Sequence, residues 1–316
     1  MKVPANLDAL WQRLLRSLHY RLRRRIRLDP QRDVGDTFAD GHYHSPLPAQ
    51  AVALRYLSER PAVTDFLPGI DLNSSGQIEL LQAFQRYYPE LPFPQQKTDG
   101  CRYWYDQAWL GQADAIYLYS VLRHFRPHQV IEVGSGYSSA LIIETIERFL
   151  QPPPHFSMIE PEPQRLKDVL EPADLDHFGL LESEVQHVPL QHFTELTAND
   201  LLFIDSSHVL KCGSDLQFLL FEVLPSLAEG VIVHFHDVFY PFEYPAEWIR
   251  AGRYWNECYL LRAFLFNNRE WEILLFGDYL AQFHRTELQS LLPLALQNTG
   301  GSLYLRRRKS ADPGQK

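Results

Sequence analysis

The run Gln129-Val-Ile-Glu-Val133 leads directly into Gly134-Ser-Gly136, and a helix-patterned stretch follows from about Ser138 to Leu150. A short β-rich segment that turns on Gly-x-Gly and restarts as a helix is the opening of an α/β unit with a parallel sheet. A helix pattern from Ala113 to Arg126, stopped by Pro127, precedes it. Further strand candidates are Phe156–Ile159, Val185–Val188, Leu201–Ile204 and Val231–Phe235, with helical stretches at 162–170 and 215–227 among them. An aromatic-rich helix at Trp255–Phe266 comes next. Trp271–Phe276 and Ser302–Leu305 then read as two apolar strands forming an antiparallel hairpin on the sheet edge.

Four regions are expected. Residues 1–32 read as a basic amphipathic helix: Leu7, Leu10, Trp11, Leu14, Leu15 and Leu18 recur at helical spacing, and Arg21, Arg23, Arg24, Arg25 and Arg27 follow. Such a helix suits either a peripheral membrane contact, through its apolar stripe and arginines, or docking on the body or on a second copy of the chain. Residues 33–100 form a helical lead-in or cap, with helix patterns near 47–58 and 75–89. Residues 101–308 hold the α/β domain, and residues 309–316 read as a disordered tail.

Composition narrows the function classes. The formal net charge of −9 argues against nucleic acid as the main partner. Roughly nine of the 30 Lys and Arg lie in residues 1–32, so the remainder is more acidic than the total suggests. No apolar run approaches the roughly 20 residues of a spanning helix, and the N-terminus lacks the pattern of a secretory signal. Cys101, Cys212 and Cys258 are widely spaced and odd in number, as expected of a reduced, cytoplasmic protein.

The glycine turn places backbone N–H groups and a helix N-terminus at the end of a strand, a geometry suited to a nucleotide-bearing cofactor. Glu160 ends the next strand, roughly 24 residues beyond Gly136, where a carboxylate can accept both ribose hydroxyls. A dinucleotide fingerprint wants a third glycine where this chain has Ser139, and Glu132 is a poor neighbour for a pyrophosphate. A cofactor carrying an ammonium group and a sulfonium tolerates that charge. The residues Glu132, Gly134, Ser135, Gly136, Ser138, Glu160 and Asp205 thus point to S-adenosyl-L-methionine rather than NAD(P).

Two later strands deliver polar residues at their C-terminal ends, where open α/β sheets carry their chemistry. These are Leu201-Leu-Phe-Ile-Asp205-Ser-Ser-His208 and Val231-Ile-Val-His234-Phe-His236-Asp237. Asp205, His236 and Asp237 form a candidate ligand set for a divalent cation, Mg2+ first among Mg2+, Mn2+ and Zn2+. Asp205 and His208 are the candidate catalytic pair, with His208 as general base for an acceptor hydroxyl. Simpler roles compete: Asp205 or Ser207 as a helix cap, His234 as a core histidine. Arg102-Tyr-Trp-Tyr105, Trp109 and the segment Phe239–Pro245 suit either an acceptor wall or ordinary loop packing.

Ile131-Glu-Val-Gly-Ser-Gly-Tyr-Ser-Ser139 resembles motif I of the class I methyltransferases, and Met158-Ile-Glu160 resembles the acidic end of their second strand. Ile204-Asp-Ser-Ser-His208 and Phe235-His-Asp-Val238 resemble segments of metal-dependent O-methyltransferases, closest to the macrocin O-methyltransferase type, which acts on sugars of natural products. The resemblance covers residues 101–308. It implies a Rossmann-like seven-stranded, mostly parallel sheet with a C-terminal antiparallel hairpin, metal ligation at Asp205 and Asp237, and a base at His208. Ser138 stands where many members have a further glycine, and His236-Asp237 stands where the catechol type has Asp-Asn. The expected function is methyl transfer to a small-molecule hydroxyl, possible sugar acceptors included. The alternatives are an NAD(P)-dependent oxidoreductase and a non-catalytic nucleoside-binding module.

Overall fold

A computed structural model describes Phe38 and residues 40–308. The expected basic helix at 1–32 and the expected tail at 309–316 lie outside the described residues. Two compact units emerge. In the first, the described residues up to Pro61 associate with Ala246–Tyr254, and the helix Gln50–Glu59 packs on the helix Ala246–Arg250.

The second unit, Ala62–Pro245 with the described residues from Trp255 to Arg308, is built on one sheet of seven strands. The strands are β1 (Gln129–Val133), β2 (His155–Ile159), β3 (Gly179–Leu181), β4 (Leu201–Ile204), β5 (Ile232–Phe235), β6 (Trp271–Phe276) and β7 (Leu303–Arg307). Their order is β3-β2-β1-β4-β5-β7-β6. Strands β1 to β5 are parallel, whereas β7 runs antiparallel to both β5 and β6. Fully buried β4 and β5 carry near-continuous apolar runs, as expected when helices cover both faces of a sheet. The helices Gln112–Phe125 and Tyr137–Phe149 pack together beside β1, and nearly all of Ala113–Leu122 is buried.

The expected strand at Val185–Val188 is instead a 3-10 turn over Val185–His187. Pro189 follows it and brings neither an N–H for a ladder nor freedom of φ. The third strand is Gly179–Leu181, a three-residue edge too short to show alternation. The helix expected across 215–227 is present but interrupted by a π segment at Leu219–Val223. The last two strands pair antiparallel as expected, but β7 inserts between β5 and β6, leaving β6 at the edge.

Two further connections shape the C-terminal half of the sheet. Gln77, in the helix Ser74–Phe84, donates to Leu72 O and accepts the Phe276 N–H, tying that helix to β6. Just ahead of β7, Gly301 O accepts the Val238 N–H at 2.8 Å. A Cβ at Gly301 would lie 3.0 Å from Asp237 Cα and 2.9 Å from the Phe239 ring. The approach to β7 therefore packs directly against the loop leaving β5.

Candidate active site

Strand order reverses at β1, which has β2 on one side and β4 on the other, so a crevice opens beyond the C-terminal ends of β1 and β4. A cavity of about 490 Å³ lies there, lined by Gly134, Glu160, Arg165, Val185, Asp205 and Asp215 among others. The two motif glycines serve different ends. Gly134 has φ +81°, and a Cβ on it would stand 1.7 Å from Asp205 O, so only glycine lets β1 and β4 close up here. Gly136 is extended, and a Cβ on it would meet only the Arg165 side chain, Cδ at 3.4 Å and Cγ at 4.0 Å.

Behind the turn Glu132 is fully buried. One carboxylate oxygen accepts from Ser139 Oγ, which in turn accepts the Gly136 N–H at 3.0 Å. The other oxygen, Oε1, is buried without a hydrogen-bond partner. Burial pushes the Glu132 carboxyl up to about 8, against the opposing pull of the surrounding serines. Ser139, where a dinucleotide site wants glycine, is thus the link between the turn and its carboxylate. Ser135 and Ser138 are both buried beside it. Glu160 lies at the mouth, with Oε2 accepting the Ser135 N–H at 3.0 Å and Oε1 the Glu162 N–H at 2.9 Å.

At the ends of β4 and β5 the structure gathers Asp205, His208 and Asp237, whose donor atoms lie within 4.8 Å of one another. His208 Nε2 is 3.3 Å from Asp205 Oδ1 and 3.7 Å from Asp237 Oδ2. His208 and Asp237 both adopt left-handed backbone conformations, φ +59° and +57°, an arrangement unusual outside glycine that clusters at functional sites. His236 stands just outside this group: its Nε2 is 3.9 Å from Asp237 Oδ1, and its Nδ1 is 3.4 Å from His234 Nε2. His234 is fully buried and stacked on Phe203, and burial keeps its pKa well below the ordinary value.

Burial opposes a charge on His208, but hydrogen bonds to Asp205 and Glu257 and the charges of those carboxylates hold its pKa up to about 11. Burial also resists ionisation of Asp205, yet the charge of His236 and the contact from His208 keep it below the usual carboxylate range. Asp237, by contrast, is raised, chiefly by burial. Asp205, Asp237 and Glu257 around one imidazole leave an excess of negative charge in a confined site, which fits a cation among Asp205, His208 and Asp237.

Three contributors were not legible in sequence. Glu257, at the start of the helix Glu257–Leu265, places Oε2 2.8 Å from His208 Nδ1. Asp215 accepts from the Ser207 N–H and hydroxyl at 2.7 and 2.6 Å, fixing the loop after β4. Arg165 lies over the Trp109 ring at 3.7 Å and lines the cavity. Pattern reading picks out residues at strand ends, and each of these sits on a helix. Of the aromatic candidates, Tyr103, Tyr105 and Tyr244 are buried, and Tyr240 donates its hydroxyl proton to Thr64 O. Arg102 is held by Glu147 and Asp174. Trp109, 57% exposed, stacks on Arg165, which lines the cavity, while Trp104 and Phe239 are half-buried.

A seven-stranded sheet in this order, with a glycine turn after β1 and carboxylates ending β2 and β4, is the class I methyltransferase fold. Residues 131–238 match the methyltransferase domain family. An uncharacterized protein of Archaeoglobus fulgidus is 30% identical over 177 residues, covering 53% of this chain and 77% of the archaeal one. The chain belongs to the family of that protein and is a methyltransferase of the S-adenosylmethionine-dependent class. Among solved structures it is similar to the methyltransferase PaMTH1 of Podospora anserina bound to SAH. That match has 14% identity, a TM-score of 0.40, and covers 82% of this chain and 94% of the other. It is also similar to the O-methyltransferase TomG of Streptomyces achromogenes in complex with SAM, at 13% identity, a TM-score of 0.37, and 82% and 96% coverage.

Proposed function

We propose that this protein transfers the methyl group of S-adenosyl-L-methionine to a hydroxyl of a small molecule, sugar-bearing acceptors among them, with help from a divalent cation. The observation that carries the reading is the Asp205–His208–Asp237 group standing beside the cavity above the glycine turn.

The residues around that cavity fit the cofactor. The unpartnered Glu132 Oε1 suits a buried cationic group such as the methionine ammonium. The open side of Gly136 leaves room along the main chain, and Glu160 keeps lone pairs free for ribose hydroxyls after its two backbone bonds. Pro161, Ile159 and Val185 offer apolar surface for a base. The cofactor supplies a methyl on a sulfonium, an electrophile needing only an aligned oxygen.

Asp205 and Asp237, with His208 beside them as the base, would hold the cation. Its contribution would be to offset their negative charge and lower the pKa of an acceptor hydroxyl. With a cation at Asp205 and Asp237 to offset the charge that keeps His208 protonated, its Nε2, directed between the two carboxylates, is the atom placed to receive the hydroxyl proton. Trp109, exposed beside the lining residue Arg165, offers a flat face for a ring of the acceptor. The test is transfer of labelled methyl from S-adenosylmethionine to a panel of hydroxyl compounds, with and without EDTA. Turnover that EDTA abolishes and Mg2+ restores is expected. Cofactor binding without turnover on any hydroxyl would defeat the reading.

A further inference from the structure

The buried acid Glu257 contributes charge beside His208 but has no assigned role in the proposed methyl transfer. An acidic residue in the first turn of a helix is ordinarily explained by the helix dipole, and such residues face water. Glu257 is instead 1% exposed, and taking a carboxylate out of water costs several kcal/mol unless a partner compensates. Its partner is His208: Oε2 lies 2.8 Å from Nδ1, while Oε1 is buried without one. The surrounding contacts fix this geometry. His208 O accepts the N–H groups of Asn256 and Glu257, and the Asn256 side chain is bonded to both the N–H and the carbonyl of Leu210. The Trp255 ring stacks on the imidazole, with centroids 4.4 Å apart and planes 25° apart. The loop carrying His208 is thus stitched to the helix start by main chain and side chain alike.

We propose that Glu257 is a positioning residue that keeps the proton on His208 Nδ1 and thereby presents Nε2 to the gap between Asp205 and Asp237. The proposal deepens the methyltransferase reading of this site and rests on it. A carboxylate bonded to the far nitrogen of an imidazole fixes both its tautomer and its ring plane. Asp205 and Asp237 both lie on the Nε2 side, so Glu257 is the carboxylate that fixes the other nitrogen.

The test uses the full-length protein with 15N-labelled histidine and S-adenosylhomocysteine present. An exchange-protected N–H resonance coupled to Nδ1, assigned by its loss in His208→Gln, is expected in wild type and in Glu257→Gln, which keeps a neutral acceptor. It is expected to vanish in Glu257→Leu. The Leu variant is expected to lose about 10- to 100-fold in kcat, with affinity for S-adenosylhomocysteine within about twofold of wild type and most of kcat restored by Gln. A resonance that survives in Glu257→Leu, or unchanged turnover in that variant, overturns the proposal. Should the Leu variant fail to fold, the wild-type spectrum decides, and an Nδ1 without a protected proton overturns it. Failure of wild type to bind S-adenosylhomocysteine in calorimetry would remove the methyltransferase reading, whereas the tautomer remains readable in the same sample.

Discussion

Glu132 combines full burial, one satisfied oxygen and one unsatisfied oxygen, and each has a measurable consequence. With its pKa at about 8, above the unfolded value of 4.5, the native chain keeps this proton after the unfolded chain has released it. The group's contribution to stability is therefore complete below pH 4.5 and declines as pH rises from 4.5 to about 8. Glu132→Gln removes that dependence, so its melting temperature relative to wild type should climb between pH 5 and 8 in ligand-free thermal scans. The same substitution should weaken S-adenosylmethionine binding about tenfold or more, the usual worth of a charged hydrogen bond. If the ammonium meets Glu132, binding to wild type near pH 7 should release a proton. Calorimetry in two buffers of different ionisation enthalpy reads that directly, and no buffer dependence would contradict the pairing. Glu160, Asp205, His208 and Asp237 were visible in sequence because each lies at or just beyond the end of a strand, where the fold class alone predicts chemistry. Glu257 was not, because it lies 49 positions beyond His208 and looks like an ordinary first-turn acid.

At the level of elements, the turn between β1 and the helix Tyr137–Phe149 makes two contrasting predictions. Gly134→Ala forces a Cβ into the Asp205 carbonyl at a positive φ, and should cost about 4 kcal/mol or more, read as a collapse of the denaturation midpoint. Gly136→Ala meets only a flexible arginine side chain, so the fold should stand while S-adenosylhomocysteine affinity falls about tenfold. Equal stability losses in the two variants would show that the turn is structural at both positions. The central strands β1, β4 and β5 were legible because a buried parallel strand reads as a near-continuous apolar run, broken here only by Gln129, Glu132 and His234. Val185–Val188 misled for the same reason: its apolar residues fill the loop under the cavity without pairing, and the true edge strand is too short to leave a pattern. The position of β7 was also beyond sequence reading, since periodicity says that a strand exists and not which neighbours it takes.

For the molecule as a whole, a ligand held only by the native state must raise stability by mass action. S-adenosylhomocysteine at about 100 times its Kd should add roughly 2.7 kcal/mol, with a matching upward shift in melting temperature, while NAD at the same concentration should add nothing. A shift with NAD alone would revive the oxidoreductase alternative. The placement of β7 between β5 and β6 has a consequence for how the protein comes into being. During synthesis β1 to β5 emerge in the order that lets them pair, but β5 keeps a bare edge and the loop at Asp237 lacks its backing until Gly301 and β7 arrive. A chain halted at residue 300 should therefore expose that edge, bind holdase chaperones and lack the support behind Asp237.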